Sequence, residues 1–446
     1  MSVSRLNAKK FDPYAHLNES NVSDLFRRVF YTLFILLICR IGVHIPLPGV
    51  RSDVVLELVR SSGAGLLGMF DMFSGGAVSN MSIMALGLMP YISSSIIVQL
   101  FSVVSPYLKD LKKSGGEVGQ RKINQYTRYG AVFIGLFQSF AVANGLEVLS
   151  SHSGMMAVPY PGFFFKFTSV ISLVSGTLFL VWLGERISAR GIGNGSSMII
   201  YAGIVSNLPQ SAYRTIELGK IGAVSSFIMI AVLVSVIFII LFIVFFEKAI
   251  RKVPFFHARH NVQGSVNRSS YIPIKVNMSG VLPPIFAGAL LGIPQILIQF
   301  FGSSDMWFVS FMLRILSHGH PVFIVLYISL IVFFSFFYAP IIFNTEQIAN
   351  EMRKSGASID GMRAGDKTKE YLDHILNRLT FIGAFYISAI CIIPELILSI
   401  VSLQFYLGGT SMLIIVGVSI EVMTQVASYL LGSKYAHIVN KPWLRN

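Results

Sequence analysis

Charge is scarce in this chain of 446 residues: Asp, Glu, Lys and Arg make up 13%, against 54% hydrophobic residues. Soluble domains average about 25% charged residues, so an ordinary water-soluble domain is excluded. Acidic residues are rarer still, 21 against 35 basic ones. Cysteine is nearly absent. Cys39 and Cys391 each sit alone within an apolar run, which excludes a disulfide framework and a thiolate zinc cluster and leaves them as small apolar fillers. No GxxxxGK[ST] phosphate loop occurs, so nucleotide energy does not enter by that route. The nine histidines are scattered, and the close pairs His257 with His260 and His318 with His320 lack Cys or acidic companions at ligand spacing. No catalytic constellation and no metal or cofactor motif is legible. The first 24 residues are polar and lack the apolar stretch of a removable signal peptide.

What is abundant is apolar sequence in long runs. A run of about 20 such residues crosses a ~30 Å hydrocarbon core as a helix. The runs predict ten spans, at about 25–45, 77–101, 129–147, 163–183, 195–209, 223–246, 280–301, 320–343, 379–398 and 406–430. The fifth is short and glycine-rich. Within the spans charges are few, with Arg40 near the end of the first and Glu421 toward the cytoplasmic part of the tenth. The chain of buried carboxylates expected of a proton-coupled pump is missing.

Basic residues are asymmetrically placed. With both termini in the cytoplasm, all but Arg40, Arg51, Arg60, Lys166, Arg214, Lys220 and Arg314 of the 35 basic residues fall on the inner side, as the positive-inside rule requires. Five spans on each side of a midpoint make the second set start from the opposite face, so an inverted pseudo-twofold repeat is expected, with a pathway between the halves. The predicted divisions are a cytoplasmic segment 1–24, a first half 25–209, a second half 210–430 with long cytoplasmic loops at 247–275 and 344–377, and a cytoplasmic tail 431–446. Loops of that length exceed simple connectors.

One stretch breaks the pattern. Gly63 to Leu100, GAGLLGMFDMFSGGAVSNMSIMALGLMPYISSSIIVQL, begins as a glycine-laden half-segment, and interrupted backbone at membrane depth persists only where protein or a water-filled cavity covers it. That marks a channel or transporter.

The motifs MALGLMPYISSSIIVQL (84–100) and WLGERISARGIGNGSSMII (182–200) resemble signature segments of the SecY family, the central subunits of the bacterial Sec protein translocon. QYTRYG, IPIKVNMSGVLPPIF, FFYAPIIFN, KSGASIDGMRAGDKT and FYLGGTSMLI also occur in the family's order. The resemblance implies an all-α integral membrane fold of ten transmembrane helices in two inverted halves with a re-entrant plug half-helix. It also implies a protein-conducting channel that passes unfolded secretory polypeptides and releases apolar segments sideways into lipid. A small-solute transporter is the alternative reading.

Carried over residue by residue, the resemblance places the plug at Gly65, Leu66, Leu67, Gly68, Met69, Phe70, Asp71, Met72 and Phe73, hinged at Ser74 to Gly76. It puts a pore ring at Leu88, Ile92, Ser196, Ile200, Ile285 and Ile414. Ser196 departs from the family's isoleucine, so the ring is expected either to be looser on that side or to be completed by Met198 or a neighbour. The lateral gate lies between spans two and three and spans seven and eight, with Gln99, Gln138 and Asn277 as its polar residues. The two basic loops, with Arg251, Lys252, Arg259, Arg268 and Arg363, are expected to dock the SecA ATPase or the ribosome. The small membrane subunits SecE and SecG, signal-bearing polypeptides and membrane lipid are the other expected partners.

Overall fold

The computed structural model describes residues 19–61, 71, 74–114, 116–148, 156–220, 226–257, 270–301, 320–359, 361–362, 365–401 and 408–439. Helices occupy each of the ten expected places: α1 Glu19–Val43, α3 Met89–Val104, α5 Gly116–Val148, α6 Phe163–Arg190, α7 Gly195–Lys220, α8 Ser226–Lys248, α9 Leu282–Phe301, α10 Pro321–Ile342, α12 Asp366–Val401 and α13 Gly409–Val439. Three shorter helices join them, α2 Ser52–Ser61, α4 Pro106–Ser114 and α11 Thr345–Ser355. Among the described residues six helices are long and apolar enough to cross a membrane, at 118–147, 163–190, 229–248, 321–355, 366–394 and 409–430, with shorter apolar helices at 89–104 and 282–292. The fold is that of an integral membrane protein.

The helices divide by what their apolar surface meets. α8 is apolar on every side, so its sequence cannot say which face is inside. Phe227, Ile230, Val234, Ile237, Phe238, Leu241 and Phe245 are exposed, in a stripe at helical spacing, while Ile239 and Ile243 are buried. α6 instead buries Leu173, Gly176, Thr177, Leu180, Gly184 and Ile187. A Cβ on Gly176 would strike the backbone of Ile83, and one on Gly195 would strike that of Gly184. Small residues thus let backbones touch, the packing mode that serves where lipid removes the hydrophobic drive between helices.

Most buried side chains form one cluster fed by α1, α3, α6, α7, α8, α9, α10, α12 and α13. A second, smaller cluster gathers Leu47, Val54, Met81, Leu146, Val158 and Leu173, from the segment after α1, from α2, from the turns before α3, from the C-terminal end of α5, and from the first half of α6 and the residues before it. Both cysteines are free and buried.

Two differences from the expected spans stand out. Span two is expected as helix from 77, but 77–88 are successive turns and α3 starts at Met89. Gly87 has φ +56°, which a helix excludes, and Pro90 in the first turn is where its missing N–H costs nothing. Span five, expected to end at 209, runs on to Lys220 with Pro209 inside it.

The long loops are folded. β1 Ile250–His257 and β2 Ser270–Lys275 pair antiparallel, and β3 Ala357–Ser358, from the second loop, adds to β1 through Phe256 opposite Ser358 and His257 opposite Ala357. Val253 and Ile274 of this sheet pack with Ala339, Phe343, Met352, Leu372 and Leu376. The two segments form one platform, seated on the ends of α10, α11 and α12.

Candidate functional site: an apolar collar, a seam and a hinge

Five of the six expected ring residues are brought into one cluster. Leu88, Ile92, Ile200, Ile285 and Ile414 are all buried within the main cluster, delivered by the turn before α3, by α3 itself, and by α7, α9 and α13. Ser196 stands apart: its Oγ donates to Asn194 Oδ1 at 2.8 Å and its N–H to the same oxygen at 3.2 Å. It belongs to the first turn of α7, where the Asn194 side chain, just before the helix, accepts from the orphan N–H of Ser196. Met198, two residues on, joins the cluster in its stead, and its unbranched thioether adapts to irregular neighbours.

The three amides expected at the seam have different circumstances. Gln99 on α3 accepts at Oε1 a 2.5 Å hydrogen bond from the phenol of Tyr338 on α10, and donates from Nε2 to Ser95 Oγ at 2.9 Å. It joins the two halves. Asn277 is buried, yet its Nδ2 donates to Glu247 Oε1 at the end of α8 (2.6 Å) and to the Gly280 carbonyl (3.1 Å), while its Oδ1 accepts from Gly280 N–H at 3.0 Å. These contacts fasten the turn before α9 to α8, within the second half. Gln138 on α5 is 5% exposed and its Oε1 has no hydrogen-bond partner.

Tyr338 belongs to the motif FFYAPIIFN, which by itself assigns it no role. The signal in the sequence is a lone phenol in a run of phenyl rings, because a buried Tyr hydroxyl ordinarily finds a partner. Its ring lies 5.0 Å from Phe286 on α9 and 5.5 Å from Phe337, centroid to centroid.

Of the expected plug only Asp71 is among the described residues; 65–70, 72 and 73 lie outside them. Asp71 organises the turns on its C-terminal side. Its carboxylate accepts from Ser79 N–H at 2.7 Å and from Ser79 Oγ at 2.5 Å, and its carbonyl accepts from Gly76 N–H at 2.8 Å. At the expected hinge position Gly75 and Gly76 have φ +70° and +87°, a region that favours glycine. Arg40, otherwise a rare charge in the first span, donates from Nη1 to the Gly75 carbonyl at 2.6 Å. On the other side Gly203 of α7 is so near that a Cβ on Gly75 would lie 2.7 Å from its Cα.

Arg251 and Lys252 stand exposed on β1, and the Lys252 ammonium lies 4.9 Å over the Tyr271 ring. Arg259, Arg268 and Arg363 are outside the described residues.

At a different edge of the junction between the halves, the turn from α6 to α7 is clamped. Ile192 N–H donates to Thr32 Oγ1 of α1 at 3.0 Å, and Gly193 N–H to Gln425 Oε1 of α13 at 2.5 Å. Arg28 Nη1 also donates to the Tyr429 phenol at 3.1 Å, with the guanidinium 5.1 Å above that ring.

The fold defines a helical membrane protein whose two halves meet in one buried, largely aliphatic cluster. The model is similar, at a TM-score of 0.66 and 16% identity over 93% of this chain and 94% of the other, to the structure described as that of a protein conducting channel. It is also similar to Sec61 in the canine ribosome-channel complex from the endoplasmic reticulum (TM-score 0.62, 17% identity, 93% and 94% covered). The family model for SecY matches residues 82–423. The chain is 45% identical over 433 residues to the protein translocase subunit SecY of Rickettsia bellii, covering 97% of this chain and 99% of that protein. The chain belongs to the SecY family.

Proposed function

We propose that this chain is the protein-conducting channel of a bacterial Sec translocon, lying in the cytoplasmic membrane with both termini in the cytoplasm. Unfolded secretory polypeptides pass through the collar, and apolar segments leave sideways between α3 and α5 on one side and α9 and α10 on the other. The observation that carries this reading is the collar: aliphatic side chains from both halves meet in one buried cluster. Such a ring resists ions by staying dry, and its soft apolar surface deforms around unrelated substrates, where a polar filter would demand one ligand.

Residues 65–73 act as the plug that seals the idle channel. Asp71 and Arg40 support that role by ordering the backbone immediately after it. The folded platform suits docking: exposed Arg251 and Lys252 on β1, together with Arg259, Arg268 and Arg363 in the same segments, present positive charge to ribosomal RNA, whose phosphates dominate affinity, or to an acidic surface of SecA. SecE and SecG are the expected small membrane partners. Energy comes from the docked partner, and the chain itself performs no chemistry.

The test is a docking variant. Arg363→Glu is expected to abolish export of a secretory reporter by the full chain while its own insertion and topology, read by site-directed labelling, survive. Wild-type export by that variant would overturn the docking role. Failure of the parent chain to support any export would overturn the channel reading itself.

A further inference from the structure

We propose that the Tyr338 phenol and the Gln99 amide form a clasp that sets how apolar a segment must be before the channel opens sideways, which makes Tyr338 a specificity-determining residue. The proposal rests on the channel reading of the chain.

The clasp is built rather than incidental. Tyr338 is buried, and its ring is wedged by Phe286 of α9 and Phe337, with Phe334 a further 5.9 Å from Phe286. The ring can present its hydroxyl in few directions. The acceptor is oriented too, because Gln99 Nε2 is committed to Ser95 Oγ one turn back, leaving Oε1 for the phenol. The neighbouring hydroxyl on α10, Ser335, donates to Ile331 carbonyl in its own helix and does not compete. Pro340, two residues on, has no N–H to give the Phe336 carbonyl, so α10 loses a backbone bond beside the clasp and bends there more readily.

The chemistry gives the direction. A segment entering between α3 and α10 separates the phenol from the amide. A purely apolar segment returns no hydrogen bond to either group, and hydrocarbon returns none. Its own transfer into lipid must therefore outweigh the lost bond, so weakly apolar segments are turned away and strongly apolar ones pass. Interhelical hydrogen bonds in membranes are worth about 0.6–1.7 kcal/mol, which corresponds to about a three- to eighteenfold shift in partition.

The experiment measures the sideways release of a series of reporter segments graded by leucine content, in cells carrying the full chain with its own partner subunits. The parent gives a threshold curve. Tyr338→Phe, which keeps the ring and removes only the hydroxyl, is expected to release segments of marginal hydrophobicity about three- to eighteenfold more readily while strongly apolar segments are unchanged. Gln99→Leu is expected to do the same, and the double variant to match the single Tyr338→Phe, since a shared bond can be lost once. A Tyr338→Phe curve superimposed on the parent's overturns the clasp, as does full additivity in the double variant. A parent that releases no segment overturns the channel reading and is distinguished from both. Unchanged thermal unfolding of Tyr338→Phe in detergent, beside a shifted threshold, separates selection from loss of fold.

Discussion

The halves of this molecule are joined in two ways, and the two joints are built to different specifications. At the turn between α6 and α7 the main chain itself is held: Gly193 donates its backbone N–H to Gln425 of the second half, while Ile192 N–H fixes the same turn to Thr32 within the first, so separation would strip a peptide group of its partner. At the seam proposed to open, the link is a hydrogen bond between two side chains, Tyr338 and Gln99, set among aromatic rings. Backbone anchoring suits a joint that stays shut. Side-chain anchoring suits one that must open and close repeatedly without local unfolding.

The contrast is sharpest at Gly193. Its φ is +82°, and a Cβ would lie 3.1 Å from Met198 and 3.3 Å from Val422. Gly193→Ala is expected to cost about 2–3 kcal/mol, because left-handed backbone disfavours any L side chain by about 1–2 kcal/mol before crowding is counted; thermal unfolding of the purified protein reads this. Gln425→Leu removes the acceptor and strands the Gly193 N–H. A loss of about 1–3 kcal/mol is expected, with the lateral threshold unmoved, and a shifted threshold without destabilisation would erase the distinction between the joints. Arg28→Ala should matter least. Its bond to Tyr429 is exposed, and surface cation–π contacts contribute about 0.5–1 kcal/mol, so a small drop in unfolding temperature and normal release are expected.

Positions of the helices are legible because lipid asks only for length and apolarity, which a run such as 226–248 displays plainly. Their ends are not. Residues 77–88 are as apolar as a helix, and only Gly87 and Pro90 hint that α3 begins at Met89. The platform reads in sequence as two loops because a two-residue strand, Ala357–Ser358, leaves no periodic trace, and Pro254 argues against a strand; it is tolerated where β3, which reaches only Phe256 and His257, does not pair. For the collar, motif resemblance names five residues that the fold gathers together, and it points to Met198 once Ser196 is occupied with Asn194. The clasp is hidden for a simpler reason: its partners are 239 residues apart, and neither side chain carries any mark of the other.

The platform has a mechanical consequence. Ala339 and Phe343, at the end of α10, are packed beneath Val253 and Ile274 of the sheet, and Ala339 directly follows Tyr338 in the chain. The sheet and the residue next to the phenol thus belong to one packed unit. In the proposed channel, a load on the sheet outside the bilayer has a packed route to α10 beside the Gln99–Tyr338 contact.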